Sequence, residues 1–243
     1  MMRGVSTRSP AEHGPPQPAA TVVVLAPAED SSTPDTAPRL FMVRRSAKSP
    51  FMPDALVFPG GRVDASDGPA GEDTTFERAA RRETLEEASI DLGDTPLRWF
   101  DTWTTPSREG RRFLARFFVV RVSAEEVDAA THDGHETTDG CWDTAAGFLA
   151  RWEAGEVDLP PPTICVLMEI AGDLDALEQR TRAQAADTIL PRVAAVDSTV
   201  AIVLPHDPGY DDLDGDHAPT PARARRLPRR FVRADGRWRP STP

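Results

Sequence analysis

Hydrophobic and polar positions alternate in blocks that change period along the chain. "ATVVVLAP" (20–27) is a continuous apolar run and predicts a buried strand. "RLFMVRRS" (39–46) predicts a second strand, with the turn-forming "EDSSTPDTAP" between them, so the pair predicts a hairpin. "ALVFPGGRVD" (55–64) predicts two short strands about a Gly-Gly turn. A helix over about 75–89 follows. Thr74 and Glu77 offer a capping box, and Phe76, Ala79, Ala80 and Leu85 offer an apolar side. "LRWFDTWTTP" and "RRFLARFFVVRV" predict a hairpin about "SREG", and "GCWDT" a short strand. Helical spacing returns in "AAGFLARWEAG", in "PPPTICVLMEIAG" with prolines at its start, and over 173–186. "STVAIVLP" predicts a strand, and "RRFVRADGRWR" a terminal hairpin. Strands, one central helix, more strands and flanking helices predict an α/β fold with mixed or antiparallel pairing.

Apolar residues are 39% of the 243, enough for a real core. The 24 prolines are about twice the usual share and cluster near the ends. Residues 1–19 are therefore expected to be disordered, 20–205 to form the main domain with a helical C-terminal extension, and 206–243 to complete or flank it as an acidic loop and hairpin. The formal charge of −11 argues against a long nucleic acid partner. It remains compatible with a small phosphorylated ligand if a cation supplies the positive charge. Cys141 and Cys165 have no metal-ligand spacing, which fits a reducing compartment. "TVVVLA" is too short for a signal or membrane segment, so the expected location is the cytoplasm, with no membrane partner.

The chemistry sits in "RRETLEEAS" (81–89). Glu83, Glu86 and Glu87 share one helical face, where like charges repel by a few tenths of a kcal/mol per pair. Either the face is merely solvated or a cation belongs there. A Pro-Gly-Gly turn precedes the helix, and glycines let a phosphate or backbone come close. Hard cations such as Mg²⁺ prefer carboxylate oxygens. The loop 207–216, "DPGYDDLDGD", is also acidic but lacks EF-hand spacing.

"GG…RETLEEAS" resembles the Nudix box, G-x5-E-x7-R-E-U-x-E-E-x-G-U. Arg82, Glu83, Glu86 and Glu87 match R-E-x-x-E-E, and Ile90 matches the last aliphatic position. The resemblance implies a Nudix-type α/β/α sandwich with a mixed sheet and extra C-terminal helices over roughly 20–205. There are departures. Gly61 and Arg82 are 21 positions apart, against 14 in the pattern. Counted back from Arg82, the early Glu falls on Thr74, with Glu72 and Glu77 as the substitutes to weigh. Ser89 stands in place of Gly, and Thr84 in place of an aliphatic residue. "RRSAKSPFMPDALVFPGGRVDASD" and "GHETTDGCWDTAAGFLARWEAGEVDLPPPT" resemble a branch with a lengthened box, related to peroxisomal-type coenzyme A diphosphatases.

The resemblance implies hydrolysis of a diphosphate linkage with Mg²⁺ or Mn²⁺. It implies Glu83, Glu86 and Glu87 as metal ligands, with Glu83 alternatively orienting water, and Arg82 as the residue that orients Glu83 or Glu86. Gly60 and Gly61 would meet metal or phosphate. Glu136 is the candidate for an additional acid from a later loop, with Glu109 second and His135 beside it. Arg44, Arg45 and Lys48 are candidates for a substrate phosphate, or equally for solubilising charge on a strand edge. The expected partner is a small nucleotide-linked diphosphate, with CoA or acyl-CoA first and ADP-ribose- or NADH-like compounds next; a homodimer is compatible. The competing reading is a non-catalytic nucleotide sensor on the same scaffold.

Overall fold

The structure is a computed structural model and describes residues 14–28, 37–49, 52–107, 111–134, 136–196 and 199–241. Its centre is β1 (Gln17–Ala26), flanked on one side by β6 (Phe113–Arg121) in parallel register from Gln17↔Phe113 to Leu25↔Arg121. The other side of β1 is divided. Ala19–Thr21 pair with β4 (Gly60–Arg62), and Leu25–Ala26 pair with β2 (Arg39–Arg45), both antiparallel. β2 in turn carries β3 (Leu56–Val57) and β7 (Thr137–Thr144), and β5 (Arg98–Thr104) lies outside β6. One mixed seven-stranded sheet results.

Alternation along these strands feeds two cores. Val23, Leu25, Leu40, Met42, Phe117 and Val119 face one way, and Ala20, Val22, Val24, Phe41, Val43, Phe118 and Val120 the other. Helix α1 (Asp73–Ala88) covers the second face. Ala79, Ala80 and Ala88 are fully buried there, so small side chains let α1 come close to the sheet. The first face is covered by α3 (Ala145–Ala154) and α4 (Pro161–Glu178) through Phe148, Trp152, Ile164 and Leu167. Each buried Phe or Leu is worth about 1.5–3 kcal/mol relative to exposure. The arrangement is the expected α/β/α sandwich.

The C-terminal part adds an antiparallel sheet of β8 (Arg192–Val196), β9 (Thr199–Val203), β10 (Arg230–Ala234) and β11 (Arg237–Ser241). Leu204, Phe231 and Trp238 enter the first core. A buried ionic cluster fastens the same parts. Asp101 on β5 accepts from Arg223 and from Trp103 Nε1 (2.9 Å), while Arg180 donates to Glu169 and to the Phe100 carbonyl (3.0 Å). No helix among the described residues is long and apolar enough to cross a membrane.

Several expectations need correction. β1 begins at Gln17, inside the segment expected to be disordered, because β6 and β4 supply backbone partners that composition cannot reveal. Residues 1–13 lie outside the described residues. Helix α1 starts at Asp73 with Glu72 at its N-cap, so Thr74 is inside the helix and makes no capping box. The helix expected over 173–186 is two pieces. Asp173 has extended angles (φ −162°, ψ 83°) within α4, and α5 (Arg182–Ala186) starts afresh from a Thr181–Gln184 capping box. β8 and the short α2 (Ala124–Ala129) were not expected from the pattern. The terminal hairpin lies where the "ADGR" turn predicts it.

Candidate active site

The acidic face of α1 meets the Gly-Gly turn. The side chain of Glu87 is buried and accepts from the Gly60 backbone N–H at 2.9 Å. Glu83, one turn earlier, lies against Gly61, where an added Cβ would come within 2.4 Å of Glu83 Oε2. Gly61 is thus required by close approach, since any larger residue would displace that carboxylate. Glu86 points outward, 58% exposed. The three acids therefore divide: Glu83 and Glu87 face β4, and Glu86 borders solvent.

Arg82 joins them. It donates to Glu83 Oε1 at 2.7 Å, to Glu86 Oε2 at 3.0 Å and to the Arg62 carbonyl at 2.9 Å. Its other edge grips Asp67 with two hydrogen bonds, Nε to Oδ1 at 3.0 Å and a terminal nitrogen to Oδ2 at 2.8 Å. Bidentate pairing of this kind fixes the guanidinium plane. Asp67 closes a 3-10 turn (Ala65–Asp67) and accepts from the Asp64 N–H at 2.7 Å, and Arg78 donates to its carbonyl at 3.0 Å. Arg82 holds the Asp67 carboxyl below its ordinary range.

Asp67 was missed by counting backwards from Arg82. Counted forwards from Gly61, the sixth residue on is Asp67, an aspartate where the pattern has Glu. The additional residues fall after it, in the loop through Gly68 and Gly71 that leads to α1. Neither Glu72 nor Glu77 takes the role: Glu72 is at the N-cap, and Glu77 lines a cleft at the other end of α1.

The electrostatics are uneven. Burial pushes Glu83 upward, opposed by Arg82 and reinforced by Glu86 and Glu136. Burial pushes Glu87 up to about 7, against the Gly60 N–H and Arg45, with Glu83 and Glu136 adding repulsion. Glu136 is thus within electrostatic reach of both Glu83 and Glu87. Its loop is tied down by the Ser46 N–H on the Glu136 carbonyl (2.8 Å) and by its own N–H on Asp133 (3.1 Å). Arg45 acts on Glu87 and is steadied by Ser49 Oγ at 3.1–3.2 Å. Arg44 donates instead to the Asp54 carbonyl at 3.2 Å. Alternation along β2 sends these neighbours to opposite faces; the ladder with β7 is irregular between them. Of the two arginines, the structure brings Arg45 to the acidic face and leaves Arg44 out. Glu109 and His135 lie outside the described residues.

Among the described residues, no three acidic, His or Cys side chains converge as a ready cation cage. Glu86 is drawn to Arg82 and Glu87 to Gly60. The donor chemistry still fits a hard divalent ion: carboxylate oxygens only, with buried Glu87 and half-buried Glu83 repelling each other. Ser89, in place of the motif's glycine, ends α1 in the left-handed region (φ 56°, ψ 23°), and its N–H reaches the Leu85 carbonyl at 3.0 Å. Thr84 is buried and satisfies its hydroxyl on the Ala80 carbonyl at 2.7 Å.

Comparison with known proteins agrees with this geometry. The chain is 28% identical over 173 residues to a Caenorhabditis elegans protein that bears the provisional name nudix hydrolase 7, which is 56% of this chain and 57% of that protein. It thus spans little more than half of that relative's length. The crystal structure of a NUDIX hydrolase from Alicyclobacillus acidocaldarius superposes with a TM-score of 0.56 at 23% identity, covering 69% of this chain and 97% of that one. At such identity the likeness is one of fold. The NUDIX domain family profile matches residues 15–159, more than half of the sequence, and the chain belongs to the Nudix domain family.

Proposed function

We propose that this protein is a divalent-cation-dependent hydrolase that cleaves a diphosphate linkage in a small nucleotide-linked molecule. The observation that carries the reading is the unbalanced acid pair of half-buried Glu83 and buried Glu87, packed against Gly61 and Gly60 with one guanidinium between Glu83, Glu86 and Asp67. A solvated face would not bury one of its three acids and half-bury a second.

Glu83, Glu86 and Glu87 would hold Mg²⁺ or Mn²⁺. When bound, such an ion neutralises diphosphate charge and makes water easier to deprotonate. Arg82 holds Glu83 in place from a base fixed by Asp67. Glu136 is the candidate to accept a proton from the attacking water, since it is exposed on a tethered loop and acts on the same two acids. Arg45 is suited to a substrate phosphate, being the cation that already offsets Glu87. CoA and acyl-CoA are the first substrates to test, on the resemblance of residues 44–67 and 134–163 to the coenzyme A diphosphatase branch; ADP-ribose- and NADH-like compounds follow.

The test is product release from a panel of CoA, acetyl-CoA, ADP-ribose, NADH and dinucleoside polyphosphates with Mg²⁺ or Mn²⁺, resolved by mass. CoA split into 4′-phosphopantetheine and 3′,5′-ADP supports both the class and the branch. Cleavage of another compound keeps the class and rejects the branch. Metal binding without cleavage of any member turns the reading towards a nucleotide sensor.

A further inference from the structure

A cleft of about 190 Å³ lies at the opposite end of α1 from the acidic pair, against β5, β6 and the start of α5. Of its two acids on α1, Asp73 and Glu77, the nearer to the acidic pair is Glu77, ten positions before Glu87 and about 15 Å away along the helix axis. In a chain of formal charge −11, this cleft gathers guanidinium groups: Arg98 from β5, Arg116 from β6, and Arg180 and Arg182 beside α5. Arg180 is committed to Glu169. The other three face only Asp73 and Glu77.

The three are held differently. Arg116 lies over two aromatic rings, 3.9 Å from the Phe76 centroid and 4.1 Å from Trp99, and pairs with Asp73. Stacking on two rings fixes its plane. Burial still holds Arg116 below its ordinary range, so Asp73 does not fully offset it. Asp73 is also shared with Arg182, whose side chain is 67% exposed and sits 5.8 Å from the Trp99 centroid. Arg98 is exposed and pairs with no acid among the described residues. If the group only fastened α5 to α1, Asp73 with Arg182 would suffice, and Arg98 would add repulsion for no return. A guanidinium fixed between two rings, with two exposed ones lining the same cleft, suits the fork geometry that recognises phosphate oxygens. The cleft's size suits a phosphate or diphosphate group rather than a whole nucleotide.

We propose that this cleft is a second anion site, taking a phosphate or diphosphate group between Arg98 and Arg182 in front of the Arg116–Trp99 stack. It is separate from the acidic face, and the proposal stands whether or not that face hydrolyses anything. Glu77 opposes the ligand and limits its affinity.

The experiment is calorimetric titration of the full chain with inorganic pyrophosphate in EDTA and low salt, where no divalent ion can recruit it to the acidic face. Wild-type protein is expected to bind. R98A/R182A, two exposed side chains whose loss leaves the core intact, is expected to bind at least tenfold more weakly, with an unchanged melting temperature as the control for folding. E77Q is expected to bind several-fold more tightly, and E83Q/E87Q to bind as wild type does. Wild-type protein that takes up no pyrophosphate overturns the assignment. So does an R98A/R182A protein that binds it undiminished, or binding that vanishes in E83Q/E87Q.

Discussion

Two acidic segments offer oxygen ligands to a cation, and the chain treats them in opposite ways. In the loop 207–216 the positive charge is supplied from within. Asp207 receives two hydrogen bonds from buried Arg230, at 2.6 and 2.7 Å. Arg192 donates to the carbonyls of Tyr210, Leu213 and Asp216, and Arg112 reaches Asp216 at 2.6 Å. On α1, Arg82 alone serves Asp67, Glu83 and Glu86, and Glu87 has a backbone N–H and the field of Arg45. Acidity by itself therefore says little about metal; the count of internal cations against buried carboxylates says more. The loop already holds its cation as guanidinium. The helix face is left short of one.

The largest expected effect breaks the comparison on the helix side. E86Q/E87Q should lose about a thousandfold in turnover, in line with the several kcal/mol a catalytic cation contributes. Mg²⁺ affinity, measured by calorimetry, should fall with it, whereas the loop variant D207N should leave Mg²⁺ affinity unchanged. Equal losses in both would erase the distinction.

On the loop side, R230M should cost about 3–5 kcal/mol in denaturant unfolding, because Asp207 would remain buried without a partner. No comparable loss is expected from E86Q, since Glu86 is half-exposed and an exposed ion pair contributes about 0–1 kcal/mol. The ratio of those two numbers measures how far each region was built for stability.

pH sharpens the contrast. The folded Glu87 has its carboxyl raised to about 7 by burial. The unfolded group ionises near its ordinary value of 4.5, so between these limits the folded chain binds more protons. Stability from Glu87 is then full below about 4.5 and is lost as pH rises through about 7, on the order of 3 kcal/mol. In EDTA the unfolding free energy should fall between pH 5 and pH 8, and E87Q should flatten that slope. Mg²⁺ at pH 8 should restore wild-type stability and leave E87Q nearly unmoved.

Between these and the smallest effect lies Asp67. D67N keeps the shape but removes the charge that anchors Arg82, and should cost about 10–100-fold in kcat with KM little changed, as losses behind a metal ligand do. D67E should recover part of it.

How much of this was legible in sequence follows from what each signal depends on. Strands β1, β2, β5 and β6 and helix α1 were readable because their periodicity is local and each buries a continuous face. The R-E-x-x-E-E acids were readable because helical geometry fixes their spacing. Asp67 was not, because its partner lies 15 residues away across an irregular loop whose added length breaks the motif's spacing. The separation of Arg44 from Arg45 needed the strand's facing direction, which follows from which alternate residues meet α1. β8 was hidden by its short, alanine-containing run, and it is ordered by five paired positions on β9. Nothing in the basic sequence of 223–239 marks burial, yet the side chains of Arg223 and Arg230 are nearly fully buried against Asp101 and Asp207. Such long-range pairing leaves no local signature.

The smallest effect concerns where the acidic helix stops. Ser89 adopts φ 56° to close α1 and direct the chain to Ile90, which is fully buried in the second core. A residue with a Cβ is strained there, and glycine is not. The strain relieved in S89G is partly offset by the greater freedom glycine gives the unfolded chain. The net gain should be about 0.5–1 kcal/mol in denaturant unfolding, since left-handed helix ends favour glycine. Because Glu87 is two residues away, turnover is the sharper readout. If Ser89 only terminates the helix, S89G raises stability and leaves kcat within about twofold, well under the tenfold that 1.4 kcal/mol would bring. If the serine holds the last turn in a geometry that Glu86 and Glu87 need, S89G gains stability and loses Mg²⁺ affinity together. That outcome would extend the charge-poor region by one turn and set its boundary at Ile90.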